Sequence, residues 1–386
     1  MATLKVLIVN ATLASLTGTE TYVKDLALGL LKRGHEPVVY APRLGQIAAD
    51  LRRSAVPVVD QLNDIGIVPD VIHGNHNTEL ITALLQFPST PGIFICHSSR
   101  DWISAPPSHP RIVAYVAVDD TCRERLVEKH GIPEEDVEVH LHGANLERFK
   151  PRQPLPDRPA RALVFSNNAN RWTHLNAVRE ACRRKRIEVE VIGSGVNSSE
   201  LYPENVLQNY DLVFAKARCA LEAMAVGTAV VLCDAFGAGP LVTTGDFERL
   251  RRRNFGIQTL TEKVEADLLV SQIERYDPND AAEVSRVVRS NCNLESVIDN
   301  ALSLYTRVIQ GFGERPAANW EDENRAVADY MRWLTLAVHQ KHSEYESLLA
   351  NSPTLRLRNE LGRLPLVDQL LNRLGHAARG DGSREG

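Results

Sequence analysis

The amino-acid sequence predicts an α/β protein built from two successive halves, each with its own parallel sheet. Short apolar runs without polar alternation, at residues 4–10 and again at 162–166, are typical of strands that are buried on both faces. Segments with apolar side chains at helical spacing separate such runs, which indicates β-α-β units. The 386 residues suffice for two hydrophobic cores and a further helical segment.

The first half is predicted at residues 1–150. Its opening strand leads into a helix on which Val23, Leu26 and Leu30 share one face. This helix is expected to end in a basic turn followed by Gly34, because basic side chains favour the last turn of a helix and glycine caps it. Further strands are expected at residues 37–41, 71–73, 92–97, 112–118 and 137–142.

The same pattern restarts after a proline-rich linker, and the second half is predicted at residues 151–312. Its strands are expected at residues 162–166, 187–192, 212–215 and 229–233. Its helices are expected at residues 174–186, 219–226, 264–274 and 294–309. Residues 313–386 form a predicted helical extension, in which one helix places five apolar side chains on one face: Val327, Tyr330, Met331, Leu334 and Val338.

Charge and cysteine content exclude several classes of function. A formal net charge of -5 argues against a nucleic-acid partner, which needs a clustered basic surface. The six cysteines are scattered without a C-x-x-C pair, so they indicate neither a zinc site nor a disulfide framework. The N-terminal apolar run is too short for a signal peptide and no run is long enough to span a membrane, so a soluble, cytoplasmic protein is expected.

Several short segments carry a family resemblance. They are Gly18-Thr19-Glu20, Arg33-Gly34-His35-Glu36, Pro69-Asp70-Val71, Gly131-Ile132-Pro133, His142-Gly143-Ala144-Asn145 and Glu222-Ala223-Met224-Ala225-Val226-Gly227. Together they resemble the retaining GT-B glycosyltransferases of family 4. The last segment is the most specific, because it is similar to that family's E-A-M-A-x-G-x-P-V-V signature. The resemblance implies a GT-B fold, with two facing Rossmann-like domains, parallel sheets and a cleft between them.

The resemblance also implies a reaction. The protein would move a sugar from a nucleotide-sugar donor to an acceptor with retention of the anomeric configuration. Enzymes of this fold usually stabilise the departing diphosphate with basic side chains and helix-terminal N–H groups, so neither a metal ion nor another cofactor is expected. Cell-surface polysaccharide or glycolipid assembly is the commonest role of such relatives, which suggests a saccharide or a lipid-linked acceptor.

Glu222 is a candidate for binding the donor. The helix at residues 219–226 would lie between two buried strands, so Glu222, near its first turn, would lie at the C-terminal edge of the sheet, where open α/β folds bind ligands. A carboxylate there can accept hydrogen bonds from both hydroxyls of a ribose, while the helix N-terminus favours a phosphate. The alternative is a glutamate that only complements the helix dipole.

The diphosphate-binding residues depart from the family pattern. Where the family carries an Arg and a Lys after the first strand of the second half, this chain has Asn167 and Arg171 as candidates. Lys216 and Arg218 could supply charge from the other side of the cleft, or could simply belong to a surface loop. The family also has a glutamate eight positions before the signature one, and that position is Phe214 here. The acidic pair is therefore broken.

Candidate residues of the first half include a small-residue loop and a histidine. Gly18 and Thr19 match the loop that approaches the donor's phosphates, where glycine lets the backbone come close; a simple tight turn is the alternative. His97, at the end of a predicted strand, either orients the transferred sugar or acceptor or is a strand-end histidine with a structural partner. His73 and His76 have the spacing of a metal pair, but no helical face would fix both imidazoles, so no metal site is predicted.

Two other functions are compatible with the sequence. A degenerate relative that binds a nucleotide-sugar, or scaffolds an active glycosyltransferase, would account for Phe214 and the missing basic pair. A nucleotide-sugar epimerase would keep two Rossmann halves but would need acidic residues near the sugar. The tail at residues 353–375 mixes leucine with arginine, which suggests either a peripheral contact with the inner face of the membrane or a docked helix.

Overall fold

The computed structural model describes residues 2–198, 200, 202–314 and 319–351. The chain divides into two units, of which the first ends at Asn319 and the second begins at Trp320. The predicted membrane-contact segment at residues 353–375 lies outside the described residues. Within the described ranges, no helix combines the length and the apolar character that crossing a membrane requires.

The first half of the first unit contains a seven-stranded sheet whose neighbouring strands all run parallel. Its strands are β1 (Lys5–Val9), β2 (Glu36–Tyr40), β3 (Val58–Val59), β4 (Val71–Gly74), β5 (Gly92–Cys96), β6 (Ile112–Ala117) and β7 (Val137–Val139). The order is β3-β2-β1-β4-β5-β6-β7, so the direction of the crossovers reverses between β1 and β4. Loops diverge at such a point and leave a crevice at the carboxyl ends of the strands.

The helices of this half are α1 (Gly18–Lys32), α2 (Gln46–Arg53), α3 (Asn77–Gln86) and α4 (Asp120–Glu124), which continues into a π-helical turn at Arg125–Lys129. Helix α1 buries Val23, Leu26 and Leu30, as its spacing predicts. It is followed by Gly34 with φ 79°, a left-handed conformation that glycine adopts without strain. The strand predicted at residues 137–142 is shorter, because β7 ends at Val139.

The second half of the first unit contains a five-stranded sheet with the order β12-β11-β10-β8-β9. Its strands are β8 (Arg161–Phe165), β9 (Glu188–Ile192), β10 (Leu212–Ala215), β11 (Ala229–Asp234) and β12 (Gly237–Leu241). Of these five strands only β12 is antiparallel to its neighbour, and the sequence pattern does not predict it. Its residues, Gly-Ala-Gly-Pro-Leu, lack the β-branched side chains that mark a strand.

Six helices accompany the second sheet within the described part of the first unit: α5 (Leu175–Lys185), α6 (Ala217–Val226), α7 (Phe247–Arg252), α8 (Ala266–Ile273), α9 (Pro278–Asn291) and α10 (Leu294–Glu314). Helix α9 was not predicted, although it has a regular N-cap: the side chain of Asp277 accepts hydrogen bonds from the backbone N–H groups of Asn279 and Asp280. Helix α6 begins at Ala217, two residues earlier than predicted, and ends at Gly227 with φ 100°. The domain limits at residues 150 and 312 stay predictions.

Helix α10 crosses back to the first sheet and contacts α1, β4 and β6. The hydroxyl of Tyr305 lies 2.8 Å from Nδ1 of His73 on β4. Ile298 packs so closely on α1 that a Cβ at Gly29 would lie 1.9 Å from its Cδ1 atom. The two halves of the first unit are therefore joined by a packed helix as well as by the linker.

The second unit, in its described part, is helix α11 (Trp320–Asn351). Tyr330 is buried and Val327 and Leu334 are partly buried. Met331 and Val338 are 53% and 50% exposed. The five side chains predicted to share one face therefore range from buried to half exposed.

Candidate functional site

Residues that follow strands of both sheets line two cavities in the first unit. The larger, of about 510 Å³, is lined by Asn10 after β1, His97 after β5 and Lys216 after β10. The smaller, of about 130 Å³, is lined by Ser166 after β8 and Gly193 after β9. Three residues line both cavities, Thr17, Gly18 and Arg218, and we call the place where they lie the junction.

The N-terminus of α1 lies at the junction. Glu20 turns back over this end and accepts hydrogen bonds from the backbone N–H of Thr17, at 2.9 Å, and from the hydroxyl of Ser15, at 2.6 Å. The backbone N–H groups of Gly18 and Thr19 have no partner among the described residues. A Cβ built on Gly18 meets no atom within 4 Å, so this backbone faces open space.

The N-terminus of α6 lies at the same place. The connection from β10 to α6 is a single residue, Lys216, which caps the helix. Ala217 has φ 50°, and its N–H donates to the carbonyl of Phe255 at 2.7 Å. The next two N–H groups, of Arg218 and Cys219, find no acceptor in the part of the chain that the structure describes. Two helix N-termini thus present free donors to one junction, which favours an anion there.

Arg218 does not serve as a free cation, because it bridges two buried carboxylates. Its Nη2 pairs with Asp25 of α1, and its Nε donates to Glu222 at 2.7 Å. Arg148 extends the network, 3.9 Å from Asp25 and bound to Glu204 at 2.8 Å. Burial alone would lower the pKa of Arg218, but the two carboxylates raise it above its ordinary value. The pair between Asp25 and Arg218 joins the two halves.

Glu222 lies in the second turn of α6, because the helix begins earlier than the sequence indicates. It lines the smaller cavity and is only 5% exposed. Burial raises its pKa, and the attraction of Arg218 opposes that rise. One carboxylate oxygen accepts from Arg218, which leaves the other available to a ligand in the smaller cavity.

Phe214, at the position of the missing acidic partner, lies inside β10 rather than in a loop. Its side chain is fully buried in the hydrophobic cluster that includes Val164 and Val231. The count of eight residues from Glu222 falls in the strand because the strand-to-helix connection is so short. Phe214 lines neither cavity.

The diphosphate-binding candidates of the second half are separated in space. Asn167 lines the smaller cavity, where its Nδ2 donates to the carbonyl of Leu16 at 3.2 Å. Arg171 lines neither cavity and stacks 4.5 Å from the ring centre of the exposed Trp172. Lys216 lines the larger cavity, with its Nζ 3.8 Å from the buried carboxylate of Asp234. The structure therefore brings Gly18, Asn167, Lys216, Arg218 and Glu222 around the two cavities and leaves Arg171 outside.

His97 lies at the end of β5 and lines the larger cavity. Its Nε2 lies 2.8 Å from Oδ1 of Asn75, and its ring stacks on that of His142 with centroids 5.9 Å apart. Burial, and after it the nearby imidazoles of His142, His76 and His73, hold the pKa of His97 well below its ordinary value. The ring is therefore neutral at physiological pH and can accept or donate one hydrogen bond at each nitrogen.

The histidines with metal-pair spacing have separate partners. His73 is bound between two tyrosines, with Nδ1 2.8 Å from the hydroxyl of Tyr305 and Nε2 3.4 Å from that of Tyr22. His76 lines the larger cavity, and its Nδ1 accepts the backbone N–H of Ala11 at 3.0 Å. Burial lowers the pKa of His73 to about 3 and that of His76 to about 4.

Four residues of the site were not singled out as functional by the sequence analysis: Asp25, Asn75, His142 and Arg148. Asp25 offers one signal, since it stands beside Leu26 within the apolar pattern of α1. The others contact the site through residues far apart in sequence. Only the tertiary structure brings them together.

Several solved structures share this fold. A glycosyltransferase from Rickettsia africae ESF-5 has a TM-score of 0.59 at 14% identity, over 80% of this chain and 99% of that one. Anabaena Alr3699/HepE in complex with UDP and glucose has a TM-score of 0.61 at 14% identity, over 78% and 99%. No protein-family model matches the sequence, and no curated protein matches it. At such identities the likeness concerns the fold, and it confirms the predicted GT-B class of two Rossmann-like halves with a cleft.

Proposed function

We propose that the protein is a glycosyltransferase that moves a sugar from a nucleotide-sugar donor to an acceptor. The observation that carries the proposal is the junction, where the free N–H groups of two helix N-termini meet between cavities on either side. Such a place suits a diphosphate, which lies between a nucleoside and a sugar in the donor. The solved Anabaena structure with this fold contains UDP and glucose, which supports the same class of ligand.

The proposed arrangement assigns each part of the donor to a place. The ribose would bind Glu222 in the smaller cavity, and the diphosphate would accept from the N–H groups of Gly18, Thr19 and Arg218. The sugar and the acceptor would share the larger cavity with His97. Lys216 would neutralise charge on the departing diphosphate, since its Nζ lies 3.8 Å from Asp234 and is more loosely paired than the guanidinium of Arg218.

By its sequence resemblance to the retaining family, we propose transfer with retention. The bond between the anomeric carbon and the diphosphate oxygen breaks, and a bond from the acceptor oxygen to the same face of that carbon forms. The proton of the acceptor hydroxyl passes to the departing diphosphate, so atoms and charge balance. The backbone donors and Lys216 supply the electrostatic stabilisation, and the proposal therefore includes no metal ion. A saccharide or lipid-linked acceptor, as in polysaccharide or glycolipid assembly, remains part of the proposal by resemblance, as do a cytoplasmic location and the membrane contact through residues 353–375.

Ligand binding tests this proposal directly. Purified protein would be titrated by calorimetry with nucleoside diphosphates and nucleotide-sugars, first as wild type and then as Gly18→Ala. Because a methyl group at Gly18 meets no protein atom but enters the space of the phosphates, we expect unchanged folding and at least tenfold weaker donor binding. Gly66→Ala is the matched control, since its added methyl also meets no atom within 4 Å and it lines neither cavity. Failure of every nucleotide to bind the wild type would refute the proposal.

One observation favours a second candidate, a degenerate protein that binds a nucleotide-sugar without transferring it. Arg218 is paired with two carboxylates and Arg171 lies outside both cavities, so neither of these two arginines is free to bind a leaving diphosphate. Donor binding together with neither transfer to acceptors nor donor hydrolysis would select this candidate. Glu222→Gln, which keeps the shape of the side chain, should weaken nucleoside binding under either function.

A further inference from the structure

A buried asparagine follows β4 and contacts His97. Asn75 is fully buried, and its side chain Nδ2 donates to the carbonyl of Val9 at 3.0 Å. Its backbone N–H donates to the same carbonyl at 3.1 Å. Its other side-chain atom, Oδ1, lies 2.8 Å from Nε2 of His97. The amide is thus held between a strand end of the first sheet and the imidazole that lines the larger cavity.

The direction of each hydrogen bond follows from chemistry. A backbone carbonyl only accepts, so the atom of Asn75 that faces Val9 must be the nitrogen. The atom that faces His97 is then the oxygen, which also only accepts. The proton of this bond must therefore come from Nε2 of His97. In a neutral imidazole the other ring nitrogen, Nδ1, then carries a lone pair.

The lone pair of His97 is open to the cavity. Within the described ranges, Nδ1 has no hydrogen-bond partner. It is also not one of the buried polar atoms that lack a partner, so it is accessible from the cavity. His97 is partly exposed as a residue, and it lines the larger cavity. A group that enters this cavity with a hydroxyl can therefore donate to Nδ1.

The surroundings of the ring support a neutral state. The ring of Tyr22 meets it edge-on at a centroid distance of 5.0 Å, and the ring of His142 stacks on its face. Burial is the largest cause that lowers the pKa of His97, and the imidazoles of His142, His76 and His73 lower it further at a pH where they carry a proton. Burial also lowers the pKa of each of these three, so all four rings are neutral near pH 7.

We propose that Asn75 is a positioning residue, which fixes His97 as the Nε2–H tautomer so that Nδ1 accepts a hydrogen bond from a hydroxyl of the sugar in the larger cavity. The sugar contact rests on the proposed function, whereas the tautomer does not. Asn75 itself touches no ligand in this arrangement. Its removal should therefore act on the recognition of the sugar and spare the nucleoside diphosphate, which binds elsewhere in the cleft.

Nitrogen NMR of the imidazoles tests the tautomer without any ligand. With ¹⁵N-labelled histidine, and with His97→Gln to assign the signals, we expect the protonated nitrogen of His97 to be Nε2 and the unprotonated one to be Nδ1. In Asn75→Leu, which removes the acceptor and keeps an apolar side chain of similar size, both tautomers should be populated. A proton on Nδ1 in the wild type would overturn the proposal, even if Asn75→Leu failed to fold.

Calorimetry tests the role of the tautomer. For the wild type, the affinity for the best nucleotide-sugar would be compared with that for its nucleoside diphosphate. In Asn75→Leu this ratio should fall about tenfold, as for the loss of one hydrogen bond, with the nucleoside diphosphate affinity unchanged. An equal loss for both ligands would identify a merely structural residue and overturn the proposal. A wild type that binds no nucleotide would refute the proposed function and with it the sugar contact, while the NMR result would still decide the tautomer.

Discussion

Replacement of Arg218 by methionine should be among the most destabilising single changes in this cleft. The guanidinium joins Asp25 of α1 to Glu222 of α6, and the three side chains are 11%, 2% and 6% exposed in that order. Methionine keeps the apolar stem but removes the charge. Asp25 and Glu222 would then remain as two buried carboxylates, with Arg148 3.9 Å from one of them as the nearest cation of the network.

The size of the effect follows from the charges that are left. Removal of one partner from a buried ion pair typically costs about 3–5 kcal/mol, because an uncompensated charge stays buried. We expect a loss in this range for Arg218→Met. Asp25→Asn should cost less, about 1.5–3 kcal/mol, because Arg218 keeps Glu222 and only a charged hydrogen bond is lost. In the double variant the losses should not add, since Asp25→Asn also removes one of the carboxylates that Arg218→Met would strand.

Urea unfolding, followed by circular dichroism at neutral pH, measures these differences in the free energy of unfolding. Arg183→Met is the control, since Arg183 pairs with Glu180 on the exposed face of α5 and should leave the midpoint unchanged. The reasoning fails if Arg218→Met lies within about 1 kcal/mol of the wild type. It also fails if Asp25→Asn costs more than Arg218→Met.

Three further predictions concern pH, the core and the donor site. Burial lowers the pKa of His73 and of His142 to about 3, so below pH 6.5 these two histidines are protonated in the unfolded chain but not in the folded protein. The free energy of unfolding should therefore fall by about 2 kcal/mol per histidine from pH 7 to 5. A free energy of unfolding in urea that stays constant across this interval would contradict the prediction. Phe214→Glu should destabilise the protein by several kcal/mol without strengthening nucleotide-sugar binding, because position 214 is fully buried. Phe214→Leu is the control. A gain in donor affinity in Phe214→Glu would show that the side chain at this position contacts the donor. Lys216→Ala should weaken donor binding, measured by calorimetry, by roughly tenfold or more. The control Lys185→Ala, on the exposed end of α5, should leave donor affinity unchanged. An unchanged donor affinity in Lys216→Ala would exclude Lys216 from the site.

The strands were predictable because parallel strands covered on both faces leave continuous apolar runs, as at Val6–Val9 or Leu212–Ala215. Strand β12 left no such signal, since Gly237 and Gly239 are required there by close approach: a Cβ on Gly239 would lie 2.4 Å from the carbonyl of Thr259. The start of α6 was misplaced for a related reason. Ala217 has a positive φ, and nothing in an alanine marks a left-handed residue.

Residues of the candidate site were predictable only where a short local motif indicates their chemistry. Gly18 and Glu222 stand in motifs whose chemistry is local, and both line the cavities. The pairing of Arg218 with Asp25 joins residues 193 positions apart, so the sequence shows the charge but not its partner. Arg171 shows the converse, because this basic residue of the expected segment stacks on Trp172 and lines neither cavity, so its role in donor binding stays a prediction.

The bridge between the halves bears on how a donor would enter. The smaller cavity, beside Glu222, measures about 130 Å³, whereas pockets for small ligands usually span roughly 300–1,000 Å³. A nucleoside needs more room than this cavity offers, and movement of the two halves away from each other would supply it, across the gap that the ion pair of Asp25 with Arg218 spans. If Arg218 then keeps Glu222 but loses Asp25, its positive charge becomes available to the diphosphate at the junction. Donor binding would then favour separation of this pair, since the guanidinium that joins the two halves would add to the charge that Lys216 and the backbone N–H groups offer the diphosphate.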